Sequence, residues 1–235
     1  MQNGIGKSAR KPAKKTDARR PYHHGDLRRA LVDAAFALVT EEQDWSFSLR
    51  EVSRRAGVSH TAAYNHFAEK RDLLAAVAAR GFEILRARMV EAMADPDGAE
   101  GALAATAHAY VGFAIGYPAL YRLMFGAALA AHFAERPDIV RASGAAAKAV
   151  LEGIITDGAR AGSFGVALED SAAFGAAVLS CWSAVHGLSM LIIDGETEAG
   201  VPTHDMVERL IANLRDGLKP RLAERRSSPT RVDRR

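Results

Sequence analysis

Apolar residues recur along the chain at helical spacing, and polar breaks cut the pattern into helices of unequal length. Leu27, Leu31, Ala34 and Leu38 fall at intervals of four, three and four, which predicts a helix over 26–41 with one buried stripe. A short helix is expected from Leu49 to Ala56. Ser48 stands at its N-cap, with Glu51 three residues on and Phe47 and Val52 placed as a hydrophobic staple. Gly57 ends it, because glycine takes the left-handed conformation without steric penalty. Ser59 caps a second short helix, His60 to Phe67. Leu49, Val52, Ala56, Val58, Ala63 and Phe67 point inward on this reading. A longer stripe, Leu74, Ala78, Phe82, Leu85 and Met89, predicts one helix over 70–93. Asp95 to Gly98 breaks the pattern. Leu103, Thr106, Tyr110 and Phe113 share a face of the next helix, 99–116. Pro118 and Pro137 fit helix starts, giving helices to about Phe133 and Ala161, the latter ended by Gly162. Thr203 is placed to cap a last helix to Leu218, with Val207, Leu210, Leu214 and Leu218 apolar. Runs of β-branched residues are scarce, so the fold class expected is all-α. No internal repeat is present.

The run 172–193 contains no charge. Its length meets the roughly 20 residues a membrane span needs. Serines at 171, 180, 183 and 189, His186, and the lack of a closely flanking basic cluster argue for a soluble helix instead. Phe174, Val178, Trp182, Val185, Leu188 and Ile192 form a large apolar stripe. Ala176, Ser180, Ser183 and Gly187 form a small-residue stripe opposite. A helix uncharged all round is expected to be buried all round, one face on its own domain and the other against a second helix.

Charge changes the picture only when it is divided. The chain of 235 residues carries 31 Lys and Arg against 28 acids, a net of +3. Seven of the cations lie in 1–22 and seven in 219–235, with only three acids between the two ends. The remainder holds 17 basic and 25 acidic residues. Both ends are expected to be disordered basic tails, the first either adding phosphate contacts or acting only as a solubilising extension. The N-terminus has no apolar segment behind its cations, so it is no secretory signal. The single Cys181, set in an apolar run, points to a reduced thiol and a cytoplasmic protein.

The outward face of the second short helix presents His60, Thr61, Ala62, Tyr64, Asn65 and His66. It is small and polar first, aromatic and basic beyond, as suits entry into a major groove. The plain alternative is a helical hairpin with a solvated polar face. Ser48-Leu49-Arg50-Glu51-Val52, Ala56-Gly57-Val58-Ser59, Tyr64-Asn65-His66-Phe67 and Lys70-Arg71-Asp72-Leu73-Leu74 together resemble the N-terminal domain of the TetR family of bacterial transcriptional regulators. The resemblance runs from about His23 to Leu85. It implies that His60, Thr61 and Ala62 read bases, and that Arg50, Tyr64, His66 and Lys70 contact phosphate. Arg54 and Arg55 are expected to be solvated or to face the backbone.

Further on, Tyr117-Pro118-Ala119-Leu120-Tyr121-Arg122-Leu123-Met124-Phe125 and Trp182-Ser183-Ala184-Val185-His186-Gly187-Leu188 resemble a TetR-family C-terminal subgroup marked by Trp, His and Gly. The resemblance implies an effector-binding half and a homodimer joined by the last two helices as a four-helix bundle. Ala176, Ser180, Ser183, Gly187, Leu210 and Leu214 are the interface residues expected. Tyr110, Phe113, Tyr117, Met124, Phe125, Trp182, His186 and Met190 are candidates for an effector pocket, with a hydrophobic or aromatic small molecule as ligand. Each of them also fits plain core.

The organisation expected is a tail (1–22), a helix-turn-helix DNA-binding domain (23–74), an effector-binding and dimerisation domain (75–218) and a second tail (219–235). His108, His132, His186 and His204 lack metal-ligand spacing along the chain, and one cysteine makes no thiolate site, so no metal or cofactor is expected. No phosphate loop or nucleophile motif is present. The reading is therefore not an enzyme but a regulator, most simply a repressor released from a pseudo-palindromic double-stranded DNA site by its effector. Two alternatives share parts of the evidence. An effector-independent architectural DNA-binding protein would have a solid C-terminal core. A helical enzyme would need a buried histidine paired with a carboxylate.

Overall fold

Serine caps and glycine turns divide the N-terminal region, as the sequence implies. The computed structural model describes residues 24–126, 137–197 and 199–220. Among them run nine helices and no strand: α1 (His24–Glu42), α2 (Leu49–Arg55), α3 (His60–Tyr64), α4 (Lys70–Ala92), α5 (Gly98–Gly116), α6 (Pro118–Phe125), α7 (Asp138–Arg160), α8 (Ser171–Ile193) and α9 (Thr203–Leu218). The N-terminal tail, nearly all of the C-terminal one, and the expected run of the sixth helix to Phe133 lie outside the described residues.

Ser48 Oγ accepts the Glu51 N–H at 3.2 Å, and Ser59 Oγ accepts the Ala62 N–H at 3.2 Å. Each such cap contributes about 1 kcal/mol. Gly57 makes the turn between α2 and α3 at φ +68°. Phe47 and Val52 are both buried, as the staple requires. Helix α3 stops at Tyr64, short of the expected Phe67. The chain tightens there, with the His66 N–H donating to the Ala63 carbonyl at 3.0 Å. Phe67 still buries its ring.

Helix α4 is the spine. It starts with the Glu69 N–H donating to Asp72 Oδ2 at 3.1 Å, and it buries residues from Leu73 to Met89. It packs on α1, α5, α6 and most extensively α7. One apolar core therefore runs unbroken from α1 to α9. A second cluster, around Leu103, Ile155, Phe164 and Val178, closes the far end. Gly162 terminates α7 at φ +74°.

Two expectations need correction. Thr203 is the first helical residue of α9 and not its cap; Pro202, in extended backbone, precedes it and offers no capping side chain. Helix α8 is not buried on all sides within one chain. It packs on α5, α7 and α9 and buries Val178, Cys181, Val185 and Ser189. Its other side leaves Ala176, Ser180 and Ser183 exposed, with Leu179 at 56% and Leu191 at 49%. By length and composition it is the one described helix apolar enough to cross a membrane; here its inner side is part of the core.

Candidate nucleic-acid interface and effector cavity

The two serine caps hold α2 and α3 so that α3 presents one face to solvent. His60, Thr61 and Tyr64 are exposed, Ala62 is half-buried, and Ala63 is buried beneath them. The His60 and Tyr64 rings meet edge to face, 4.7 Å between centroids. Arg50 is exposed and His66 half-buried. Lys70, at the N-terminus of α4, lays its ammonium over the Phe47 ring, 5.1 Å from the centroid. Burial pulls its pKa down, while Asp44 nearby opposes that shift. The seven residues named from sequence as DNA contacts thus sit on α2, on α3 and the turn after it, and at the start of α4. Arg54 is exposed. Arg55 is tied to Glu41 of α1 at 2.5 Å.

The C-terminal half holds a cavity of about 300 Å³. Phe82, Leu85 and Met89 of α4, Leu103 and Tyr110 of α5, and Phe125 of α6 form much of its wall. Helix α7 supplies Val140, Gly144, Ala145, Ala147 and Leu151, with Arg141 and Lys148 the two cations of the lining. The small residues of α7 make the space: a side chain at Gly144 would meet the Phe82 ring at 3.6 Å. Thr106 also lines the cavity; it is 4% exposed, and its hydroxyl has no hydrogen-bond partner. A buried hydroxyl left unpaired is destabilising by about 1–3 kcal/mol. Cys181 lines the same space, its thiol pKa raised to about 11 by burial.

Beside the cavity lies a hydrogen-bonded cluster. Tyr110 Oη accepts from Trp182 Nε1 at 3.3 Å and from Tyr121 Oη at 3.1 Å. His186 Nδ1 lies 2.6 Å from Tyr121 Oη and 3.3 Å from Tyr110 Oη. Burial raises Tyr110 to about 12 and pushes Tyr121 well above the usual phenol range, so both stay neutral. Burial moves His186 down from 6.5, favouring neutral imidazole.

Of the eight residues expected at the pocket, Tyr110, Phe125 and Trp182 line the cavity and the other five do not. Phe113 and Met124 are fully buried core, Met124 where α4 approaches α6 at Gly81. Tyr117 accepts from Arg88 Nη2 at 3.1 Å, away from the cavity. His186 sits behind Tyr110 in the cluster, and Met190 is half-buried against the core. The contributions of α4 and α7, and the unpaired Thr106, escaped the sequence reading. The small run Gly144-Ala145-Ala146-Ala147 was the signal for a gap. Of the expected interface residues, Ala176, Ser180 and Ser183 are exposed, and Gly187 is half-buried. Leu210 and Leu214 are half-buried against their own chain, and Leu214 also lines the cavity.

Two family models match the chain. One, described as bacterial regulatory proteins of the tetR family, covers residues 31–77. The other, described as a tetracyclin repressor-like C-terminal domain, covers residues 103–214. An uncharacterised HTH-type transcriptional regulator of Haemophilus influenzae is 51% identical over 47 residues, which is 20% of this chain and 23% of that protein. The chain therefore spans about a quarter of that relative's length. A solved protein of unknown function from Rhodococcus sp. RHA1 is 32% identical, with a TM-score of 0.71 over 85% of this chain and 99% of that one. The transcriptional regulator FadR of Bacillus subtilis, solved with stearoyl-CoA, shares the fold at 16% identity, TM-score 0.61, over 81% of this chain and 98% of that one.

Proposed function

The chain belongs to the TetR family of bacterial regulatory proteins, and from that we propose that it is a cytoplasmic homodimer that represses transcription and leaves its DNA when a small hydrophobic molecule binds. The exposed, capped α3 carries the DNA half of this reading. His60, Thr61 and Ala62 meet base edges in the major groove; Arg50, Tyr64, His66 and Lys70 fix the register on phosphates. The DNA-binding unit is 23–74 and the effector and dimer unit 75–218, with α4 as the bar joining them. Dimerisation uses the charge-free outer side of α8 around Ala176, Ser180 and Ser183, with α9 beside it.

The cavity supports an effector. Its wall is mostly apolar, and its polar residues include Thr106 and Tyr110, one turn apart on α5, and the cations Arg141 and Lys148 of α7. A ligand with an apolar body and one hydrogen-bonding group fits that lining. FadR's stearoyl-CoA, held in a protein of the same fold, is consistent with a hydrophobic ligand. The cavity also weighs against the architectural alternative, whose core would be solid. Among the described residues no carboxylate pairs with His186, which weighs against the enzyme reading. The ligand acts by population shift, favouring a spacing of the two α3 helices that cannot meet both half-sites.

Selection of purified protein on randomised duplex DNA at two salt concentrations tests the reading. An inverted repeat is the expected result. Unselected DNA with steep salt dependence would replace it with the architectural reading.

A further inference from the structure

Three metal-binding side chains that the sequence keeps apart meet on the surface between α5 and α9. His204 and Glu208 are four residues apart on α9, so they share one helical face. His108, near the middle of α5, reaches them from across the interface. Its Nε2 lies 2.6 Å from Glu208 Oε1. The His108 and His204 rings stack, 4.8 Å between centroids and 17° from parallel. The potential ligand atoms of all three residues lie within 4.8 Å of one another.

We propose that His108, His204 and Glu208 form a binding site for a divalent transition metal ion, zinc foremost. Two imidazoles and one carboxylate are a donor set suited to such ions. In a tetrahedral site with ligands about 2.0–2.2 Å from the ion, donor atoms stand roughly 3.3–3.6 Å apart. An ion would require side-chain rotations that open His108 and Glu208 around it and turn His204 onto it. Glu208 is half-exposed, so water completes the coordination. The nearby cation Arg215 is paired with Glu100, its Nε 2.6 Å from the carboxylate, which limits its repulsion of an incoming ion. The bound ion would cross-link α5, a wall of the cavity, to α9.

Equilibrium dialysis of the full chain against Zn²⁺, with metal counted by atomic absorption, tests the site. The comparison variants are His204→Ala, His108→Gln, the isosteric Glu208→Gln, and a control His23→Ala/His24→Ala that removes other histidines. One ion per chain is expected in the wild type and the control. Loss of a mere outer-sphere partner lowers affinity about 10–100-fold, so each ligand variant is expected to lose at least tenfold. Zn²⁺ should raise the melting temperature of the wild type, since it binds the folded state, and leave that of His204→Ala unmoved. Equal zinc affinity in wild type and ligand variants, with circular dichroism showing all of them folded, would overturn the site. So would loss of binding only in the His23/His24 control. Neither readout involves DNA, so the result stands apart from the regulatory reading.

Discussion

At the scale of single residues, the function proposed above divides the face of α3 and its neighbours into side chains that read bases and side chains that hold phosphates. Thr61 is exposed in the first turn of α3, where its hydroxyl and methyl can both meet a base edge. Thr61→Ala should change the order of preference among operator variants, by about 1–3 kcal/mol at the base it reads. Lys70 stands at the start of α4, over Phe47. Lys70→Ala should weaken every sequence alike and lower the salt slope by about 0.9, the share of one phosphate. Competition binding on a panel of duplexes across a salt series measures both. Loss of equal size on every sequence for both variants would dissolve the distinction. A different kind of residue effect belongs to Gly158. The chain reverses after Gly162, and the Phe164 ring folds back so closely that a Cβ at Gly158 would stand 2.1 Å from it. Phe164 is 3% exposed and has little room to retreat. Gly158→Ala should therefore destabilise by about 1–3 kcal/mol, the usual effect of overpacking, read as a lower urea midpoint at unchanged slope.

At the scale of elements, α5, α6 and α8 are joined by polar as well as apolar contacts. His186 is the titrating member of their cluster. Its folded pKa lies below the unfolded 6.5 because burial disfavours the cation. Between those two values the unfolded chain binds more protons than the folded one. Stability from this group is therefore complete above pH 6.5 and is lost as pH falls through the folded pKa. Urea midpoints measured from about pH 7.5 down to about pH 5.5 should decline, and His186→Gln should flatten that decline. An unchanged profile in the variant would assign the effect to other groups. The helices themselves were legible in the sequence because each follows from local rules: a stripe at 3.6-residue period, a serine cap, a glycine or proline at an end. The caps at Ser48 and Ser59 stand as read. The cavity was only partly legible, since an aromatic at helical spacing looks the same whether it faces a gap or a neighbour. Tyr110 and Phe113 lie on one stripe of α5, yet only Tyr110 reaches the space. What makes the gap is Gly144 on α7, brought to Phe82 by the packing of α4 on α7. The histidine–glutamate cluster was hidden for the same reason. His204 and Glu208 share a face of α9, but His108 lies far off in sequence, and only the contact of α5 with α9 brings it to them.

At the scale of the whole molecule, the outer side of α8 is incomplete in one chain. Ala176, Ser180 and Ser183 lie exposed along a helix with no charge, and Leu179 beside them is 56% exposed. Small side chains let a second helix approach closely, and exposed leucine gains when water is removed. A second copy placing the same side against it would bury both at once, as a two-fold interface does. Ser183→Arg puts a long charged side chain at the centre of that contact, where it would be desolvated without a partner. The change lies on the surface of the single chain, so circular dichroism should show the helices preserved. Sedimentation equilibrium should show the mass falling from two chains to one. DNA binding should fall with it in a diagnostic way. Two α3 helices held together turn the second half-site into an intramolecular step, which multiplies affinity by about 10²–10⁴. Ser183→Arg should lose most of that factor on an inverted repeat while binding an isolated half-site as the wild type does. A variant that stays dimeric, or a monomer that binds the repeat at full strength, would show that the pairing of DNA sites does not depend on α8.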